Sequence, residues 1–208
     1  KDPRGYAPEP QTSLQSGTTK SKPLDLELSK MVALKEMATK FAAIPLNRAV
    51  KVAAIKDALG DTATAGVLGL ADAEGSPLLG TTTNGGSTAT ASDTALFLVP
   101  VPADYVPGGK IGVRARCKVS AARNASATVD IFAKEHGDSL GSDVCATAAQ
   151  SINSTTLGWK YFSITPTGFI PGLTVLSLTI TLATDDTGAA ANGAASCTQL
   201  ALEYEGRY

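Results

Sequence analysis

Histidine, tryptophan and cysteine are nearly missing from this chain: 208 residues hold one His, one Trp and three Cys. That scarcity excludes most zinc sites and any dense disulfide framework. Aromatic residues make up only 5% of the chain, too few for a thick aromatic core and a thin supply for a sugar-stacking cleft. No apolar run approaches the roughly 18–20 residues that a membrane-spanning helix needs, so no membrane partner is expected. Lys and Arg (18) balance Asp and Glu (19), leaving none of the positive surplus on which nucleic-acid affinity rests. Phosphate-binding loops, H-E-x-x-H, C-x-x-C and G-x-S-x-G are all absent, and no cofactor or metal is called for.

What is abundant is small. Ala (33), Thr (24), Gly (20) and Ser (16) together supply 45% of the chain. Such residues suit tight β-packing and turns. The length fits one domain with an appendage, or two small domains.

The near-neutral total hides an asymmetry. Residues 1–56 carry a net charge of +5 and residues 57–208 carry −6, with no basic residue between Lys56 and Lys110. A basic N-terminal segment on an acidic body suggests an arm for an acidic surface of a partner or a neighbouring copy; a merely solvated tail is the plainer alternative. Residues 1–24 read as an extended arm, because Pro3, Pro8, Pro10 and Pro23 interrupt helices and strand ladders. Fully extended, this stretch reaches roughly 80 Å. The chain starts at Lys1 rather than Met, leaving open a processed leader or a start lying upstream.

Residues 25–42 predict an amphipathic helix. Leu28, Met31, Leu34, Ala38 and Phe41 recur at three- and four-residue steps, Asp25 suits the N-cap, and Pro45 stops the run. Its apolar stripe is expected to pack on the body or on another chain. Ala49–Leu59 reads as a second helix or, given Val50 and Val52, as a strand. Residues 25–59 are thus taken as a helical linker or anchor.

From Gly60 to Tyr208 the pattern turns to β. Ile111, Val113, Ala115, Cys117 and Val119 alternate with Arg114, Arg116 and Lys118, the clearest strand in the chain. Similar alternation runs through Ala125–Lys134, Leu173–Thr184 and Cys197–Glu205, with shorter candidates at Gly66–Ala71, Ala95–Val101 and Trp159–Ile164. Asn84-Gly85 marks a loop or hairpin, and Tyr105–Gly109 a turn. About eight strands with turn-punctuated spacing predict a mainly β fold, an antiparallel jelly-roll-like sandwich.

Candidate chemistry is sparse. His136 sits in a turn without a nucleophile elbow and reads as a solvated loop residue. Asp185-Asp186 with Asn192 lacks the alternating oxygens of a calcium loop and reads as a polar turn. Trp159 reads as a core anchor rather than a carbohydrate platform. Three widely spaced cysteines read as buried free thiols, with a Cys145–Cys197 bridge as the alternative.

Several stretches carry a resemblance. FLVPVPADYVPGGKIGVRARCKV (97–119), SDVCATAAQSIN (142–153), WKYFSITPTGFIPG (159–172) and LTITLATDDTGAA (178–190) occur in an order similar to a group of β-sandwich virion proteins of tailed bacteriophages. The likeness covers about residues 44–208 and leaves out the arm and helix. Where the related pattern often reads P-G-D, this chain has Pro171-Gly172-Leu173, an apolar strand entrance that a neighbour would cover. The resemblance implies a non-enzymatic capsid decoration, cement or head-fibre protein on the outer capsid surface of the virion. Its partners would be the major capsid protein and other copies of itself, a trimer being favoured. On that reading the arm and helix make the contacts, through Arg4, Tyr6, Lys20, Lys22, Leu28, Met31, Leu34 and Phe41. The competing expectations are a carbohydrate- or receptor-binding module that reads its ligand with the loops at 80–93, 135–143 and 185–192, and an extracellular filament subunit.

Overall fold

The computed structural model describes residues 37–73, 76–81, 90–120, 127–137, 142–185 and 193–207. The chain divides into a unit of residues 1–38 with Tyr208 and a unit of residues 39–207, the body, which holds all but two of the described residues. Twelve strands are defined: β1 (Met37–Ile44), β2 (Val50–Lys51), β3 (Ala54–Ala58), β4 (Gly69–Ala73), β5 (Ser76–Gly80), β6 (Thr90–Pro100), β7 (Ile111–Val119), β8 (Ala127–Glu135), β9 (Gln150–Ser151), β10 (Gly158–Ile164), β11 (Val175–Asp185) and β12 (Ala195–Arg207).

They form two six-stranded sheets. The first runs β10-β7-β12-β5-β4, with β1 also pairing β12; the second runs β3-β2-β6-β11-β8-β9. The last eight strands carry the jelly-roll plan. β5-β12-β7-β10 faces β6-β11-β8-β9, so the chain crosses repeatedly from one sheet to the other, and these ladders are antiparallel. β5 and β6 lie in different sheets and do not form the hairpin considered for Asn84-Gly85, while residues 82–89 are outside the described residues.

The core lies between the sheets and follows the period-two pattern. Ile111, Val113, Ala115, Cys117 and Val119 of β7 are buried while Arg114, Arg116 and Lys118 are partly exposed, as the alternation predicts. On β11, Leu176, Leu178, Ile180 and Leu182 point inward to meet Ile131 and Val129 of β8 and Phe97 of β6 in register. Each large apolar side chain removed from water contributes about 1.5–3 kcal/mol. The small residues Ala95, Ala115, Ala133 and Ala195 are fully buried and let the sheets close tightly around Phe97 and Phe162. One corner is tied by Tyr105: its ring is buried and its hydroxyl donates to the Gly109 carbonyl at 2.8 Å, across a turn whose Gly108 holds a φ of +80°.

The predicted helix over 25–42 does not extend into the described part of that stretch. Residues 37–44 are strand, and the described residues contain no α-helix, only one 3₁₀ turn at Leu46–Arg48. MATKFAAI satisfies a period of two as well as a period near 3.6: Thr39, Phe41 and Ala43 are exposed, alternating with Lys40, Ala42 and Ile44. Pairing with β12 satisfies the backbone and settles the choice in favour of strand. Of the two readings for Ala49–Leu59, strand holds, as β2 and β3. Ile44, Leu46, Ala49 and Leu59 belong to the core of the body, so residues 44–59 are not a helical linker.

Candidate ligand platform

The outer face of the first sheet gathers large side chains that the core has no room for. β10 is the reason. Phe162 and Ile164 must face inward, and strict alternation then turns Trp159, Tyr161 and Ser163 outward. Trp159 is 47% exposed, which corrects its reading as a core anchor. Register sets its neighbours: Trp159 lies opposite Arg116, which in turn lies opposite Gln199, and Tyr161 lies opposite Arg114, itself opposite Ala201. β1 adds Phe41, 60% exposed, from the far side of β12.

Arg114 organises this surface. Its guanidinium lies 5.2 Å from the centre of the Tyr161 ring and 6.0 Å from that of Phe41, so it spans two aromatic groups. Nε of Arg114 also pairs with Oε2 of Glu203, and this hydrogen bond raises the Arg114 pKa. The Tyr161 phenol is raised as well, first by burial and then by the Glu203 charge. Beside them Arg116 Nη1 donates to Gln199 Oε1 at 3.3 Å. The result is an open recess of about 420 Å³ lined by Phe41, Arg114, Trp159 and Ala201.

Two features hold the platform still. Gly112 lies beneath Tyr161: a Cβ there would stand 2.6 Å from the ring and 2.5 Å from the Phe162 carbonyl oxygen. Only glycine lets the ring lie down on the sheet. The free edge of β10 is strapped by the preceding segment, through Ala146 N to Ser163 O (2.8 Å), Ser163 N to Thr147 Oγ1 (2.9 Å) and Gln150 Nε2 to Tyr161 O (2.6 Å).

Among the expected contact residues, Phe41 is on this face, while Arg4, Tyr6, Lys20, Lys22, Leu28, Met31 and Leu34 lie outside the described residues. Trp159, Tyr161 and Arg114 were not on that roster. A signal for them existed: Trp159 and Phe162 are three residues apart on one strand, so both cannot face the core. The loops proposed to read a ligand fall largely outside the described residues, at 82–89, 138–141 and 186–192.

The remaining candidates are modest. His136 is exposed, with Nδ1 3.0 Å from Oγ of the buried Ser177, and among the described residues no carboxylate completes a triad. No cluster of three His, Cys, Asp or Glu suited to a metal occurs among the described residues. All three cysteines are free; Cys117 and Cys197 are buried, Cys145 only partly. The alternative Cys145–Cys197 bridge fails on placement, because Cys145 is bridged to Ile164 whereas Cys197 faces Cys117. At another corner Leu173 is 77% exposed and Ile170 is exposed beside it, an uncovered apolar tip at the Pro171-Gly172-Leu173 departure.

No protein-family model matches the chain, and no curated protein matches it. Among solved structures, one described as "CBM4 structure and function" covers 65% of this chain and 88% of its own, with 12% identity and a TM-score of 0.41. A second, an arabinose-bound MgGH51 α-L-arabinofuranosidase, covers 84% of this chain, with 11% identity and a TM-score of 0.36; the chain spans 24% of that enzyme. At these scores neither overlap bears on function.

Proposed function

We propose that this chain is a non-catalytic binding β-sandwich that takes carbohydrate on the outer face of its first sheet. The observation that carries the reading is the half-exposed Trp159 beside Tyr161, Arg114 and Phe41 on a rigid sheet. A sugar ring has an apolar C–H face that stacks on an indole, and a rim of hydroxyls that seeks charged or amide partners. Trp159 supplies the first; Arg116, Gln199 and Glu203 supply the second within one or two strands. An apolar open recess with polar side chains at the adjoining register positions suits a chain or branch of a polysaccharide better than a buried small molecule.

The single tryptophan makes the test direct, since all indole emission comes from the platform. The full chain is screened on a glycan array, and hits are titrated by tryptophan fluorescence. Trp159→Ala and Tyr161→Ala are then compared by calorimetry, with binding expected to weaken at least tenfold. A silent array, or a Trp159→Ala variant that binds as the parent does, would overturn the reading.

A second reading keeps the virion role that the resemblance implies, with this face packed on capsid or on other copies. It is favoured by Phe41, a residue of the basic N-terminal segment that β1 brings onto the platform, and by the uncovered Leu173 tip. On this reading the full chain is a trimer by size-exclusion chromatography with light scattering, and Trp159→Asp dissociates it. A parent chain that is monomeric at high concentration removes the self-association.

A further inference from the structure

We propose that Cys117 and Cys197 form a cross-strand disulfide by exchange with a low-molecular-weight disulfide, stapling β7 to β12 beneath the platform. The two residues are direct partners in the antiparallel ladder, Cys117 opposite Cys197, and both side chains point into the core. Directly opposed residues of an antiparallel pair have Cα atoms about 4.5–5.5 Å apart, inside the range a disulfide bridges. Interaction with Cys197 is the first cause raising the Cys117 pKa, and Cys197 Sγ contacts the Gln199 carbonyl at 3.3 Å, across a bulge in β12 between Cys197 and Gln199. That bulge leaves one strand locally freer to adjust as the sulfurs approach bonding distance.

A route to the pair exists on one side. Gly158 faces Cys117 from β10, and a Cβ built there meets nothing within 4 Å. The gap belongs to a recess of about 460 Å³ that Cys117 lines together with Ile152, Ser154, Leu157 and Lys160. Cys117 is therefore the attacking sulfur. Its thiolate displaces one half of the small disulfide, forming a mixed disulfide and releasing one thiol. Cys197 then loses its proton and attacks the Cys117 sulfur, releasing the second thiol. Both protein thiols are oxidised, the reagent is reduced to two thiols, and atoms and electrons balance.

The closed fold slows this exchange. The hydrogen bond that the Cys117 thiol donates to Cys197 and burial both hold Cys117 as the neutral thiol, and the lowering influence of Lys160 is the smaller one. The staple is accordingly set as the chain folds, in an oxidising compartment, and scarcely forms once the body has closed in a reducing one.

The experiment uses the full chain purified with thiols reduced. One sample is incubated folded with oxidised glutathione, and one is unfolded and refolded in it; both are alkylated and mapped without reduction. Refolding is expected to give a Cys117–Cys197 linked peptide and to remove two of the three free thiols, with Cys145 alkylated or carrying glutathione. The folded sample is expected to cross-link at least tenfold more slowly. Cys117 and Cys197 both alkylated after refolding, each carrying glutathione unresolved, or either joined to Cys145, would overturn the proposal. A Cys145→Ser chain that still gives the link supports it by excluding a route through the third thiol.

Discussion

Replacing Gly112 by alanine is the sharpest probe of how the platform is built. The added Cβ would stand 2.5 Å from the Phe162 carbonyl oxygen and 2.6 and 2.7 Å from two carbons of the Tyr161 ring. Ordinary contact begins near 3.5 Å, so the intrusion is close to 1 Å. The ring can swing away, but the carbonyl is backbone in the middle of a ladder that pairs Gly158–Ile164 with Ile111–Cys117. β10 must back away from β7, stretching hydrogen bonds on both sides of the intrusion. Overpacking of this kind costs about 1–3 kcal/mol, and a backbone clash belongs at the upper end. Gly158→Ala on the same sheet is the control: its Cβ enters open space, and the change should stay within about 0.5 kcal/mol or stabilise. Urea denaturation followed by far-ultraviolet circular dichroism reads both. The Gly112→Ala midpoint is expected to fall by about 1 M at unchanged slope, with the Gly158→Ala midpoint near the parent's. Equal midpoints for the two variants would refute the packing of Tyr161 over Gly112.

Two further outcomes follow from the body. Tyr105→Phe keeps the buried ring and deletes the hydroxyl that donates to Gly109, so stability measured in urea should drop by about 1–2 kcal/mol; no loss would mean that the turn does not need this tie. Lys40 joins β1 to Asp104, at 2.7 Å, and to the Arg207 carbonyl; its hydrogen bond is the largest cause holding the Asp104 carboxyl below its ordinary 3.8. A lowered folded pKa stabilises above the ordinary value and is lost as pH falls through the folded one. The stability gap between parent and Lys40→Ala should therefore be full at neutral pH and close as pH drops below 3.8, and a gap unchanged at pH 2 would refute the assignment.

The strands that were legible in the sequence are those with one wet face. β7, β8, β11 and β12 each alternate small or apolar residues with charged or hydroxylated ones, and the periodicity alone places them within two residues of their observed ends. β1 was not legible, because Ala38 and Phe41 continue the three- and four-residue steps of Leu28, Met31 and Leu34, and the decision for strand rests on β12, more than 150 residues away. β5 and β9 carry too few residues to show a period, and β5 contains a proline. Six of the eight jelly-roll strands were legible, all but β5 and β9; of the four ahead of them, the Gly66–Ala71 run overlaps β4 and the strand alternative for Ala49–Leu59 holds as β2 and β3.

The platform was hidden for a related reason. A lone tryptophan in an aromatic-poor chain invites burial, and one-residue reasoning places it in the core. Parity within β10 excludes that, since Phe162 claims the inner face and Trp159 lies an odd number of positions from it. Comparison of the two outer faces then shows which one is unusual. On the second sheet the central strand β11 presents Thr179 and Thr181, with Ser177 buried beside His136, and the exposed apolar neighbours Leu98 and Phe132 sit apart on β6 and β8, on either side of that strand. Isolated exposures of that kind are ordinary. On the first sheet Tyr161 and Phe41 converge on Arg114, Trp159 lines the same recess, and a glycine beneath the tyrosine seats it. A face built only for solubility would place threonines there, as the other sheet does. Three of the chain's few aromatics stand together on this outer face, and the proposed carbohydrate site rests on that grouping.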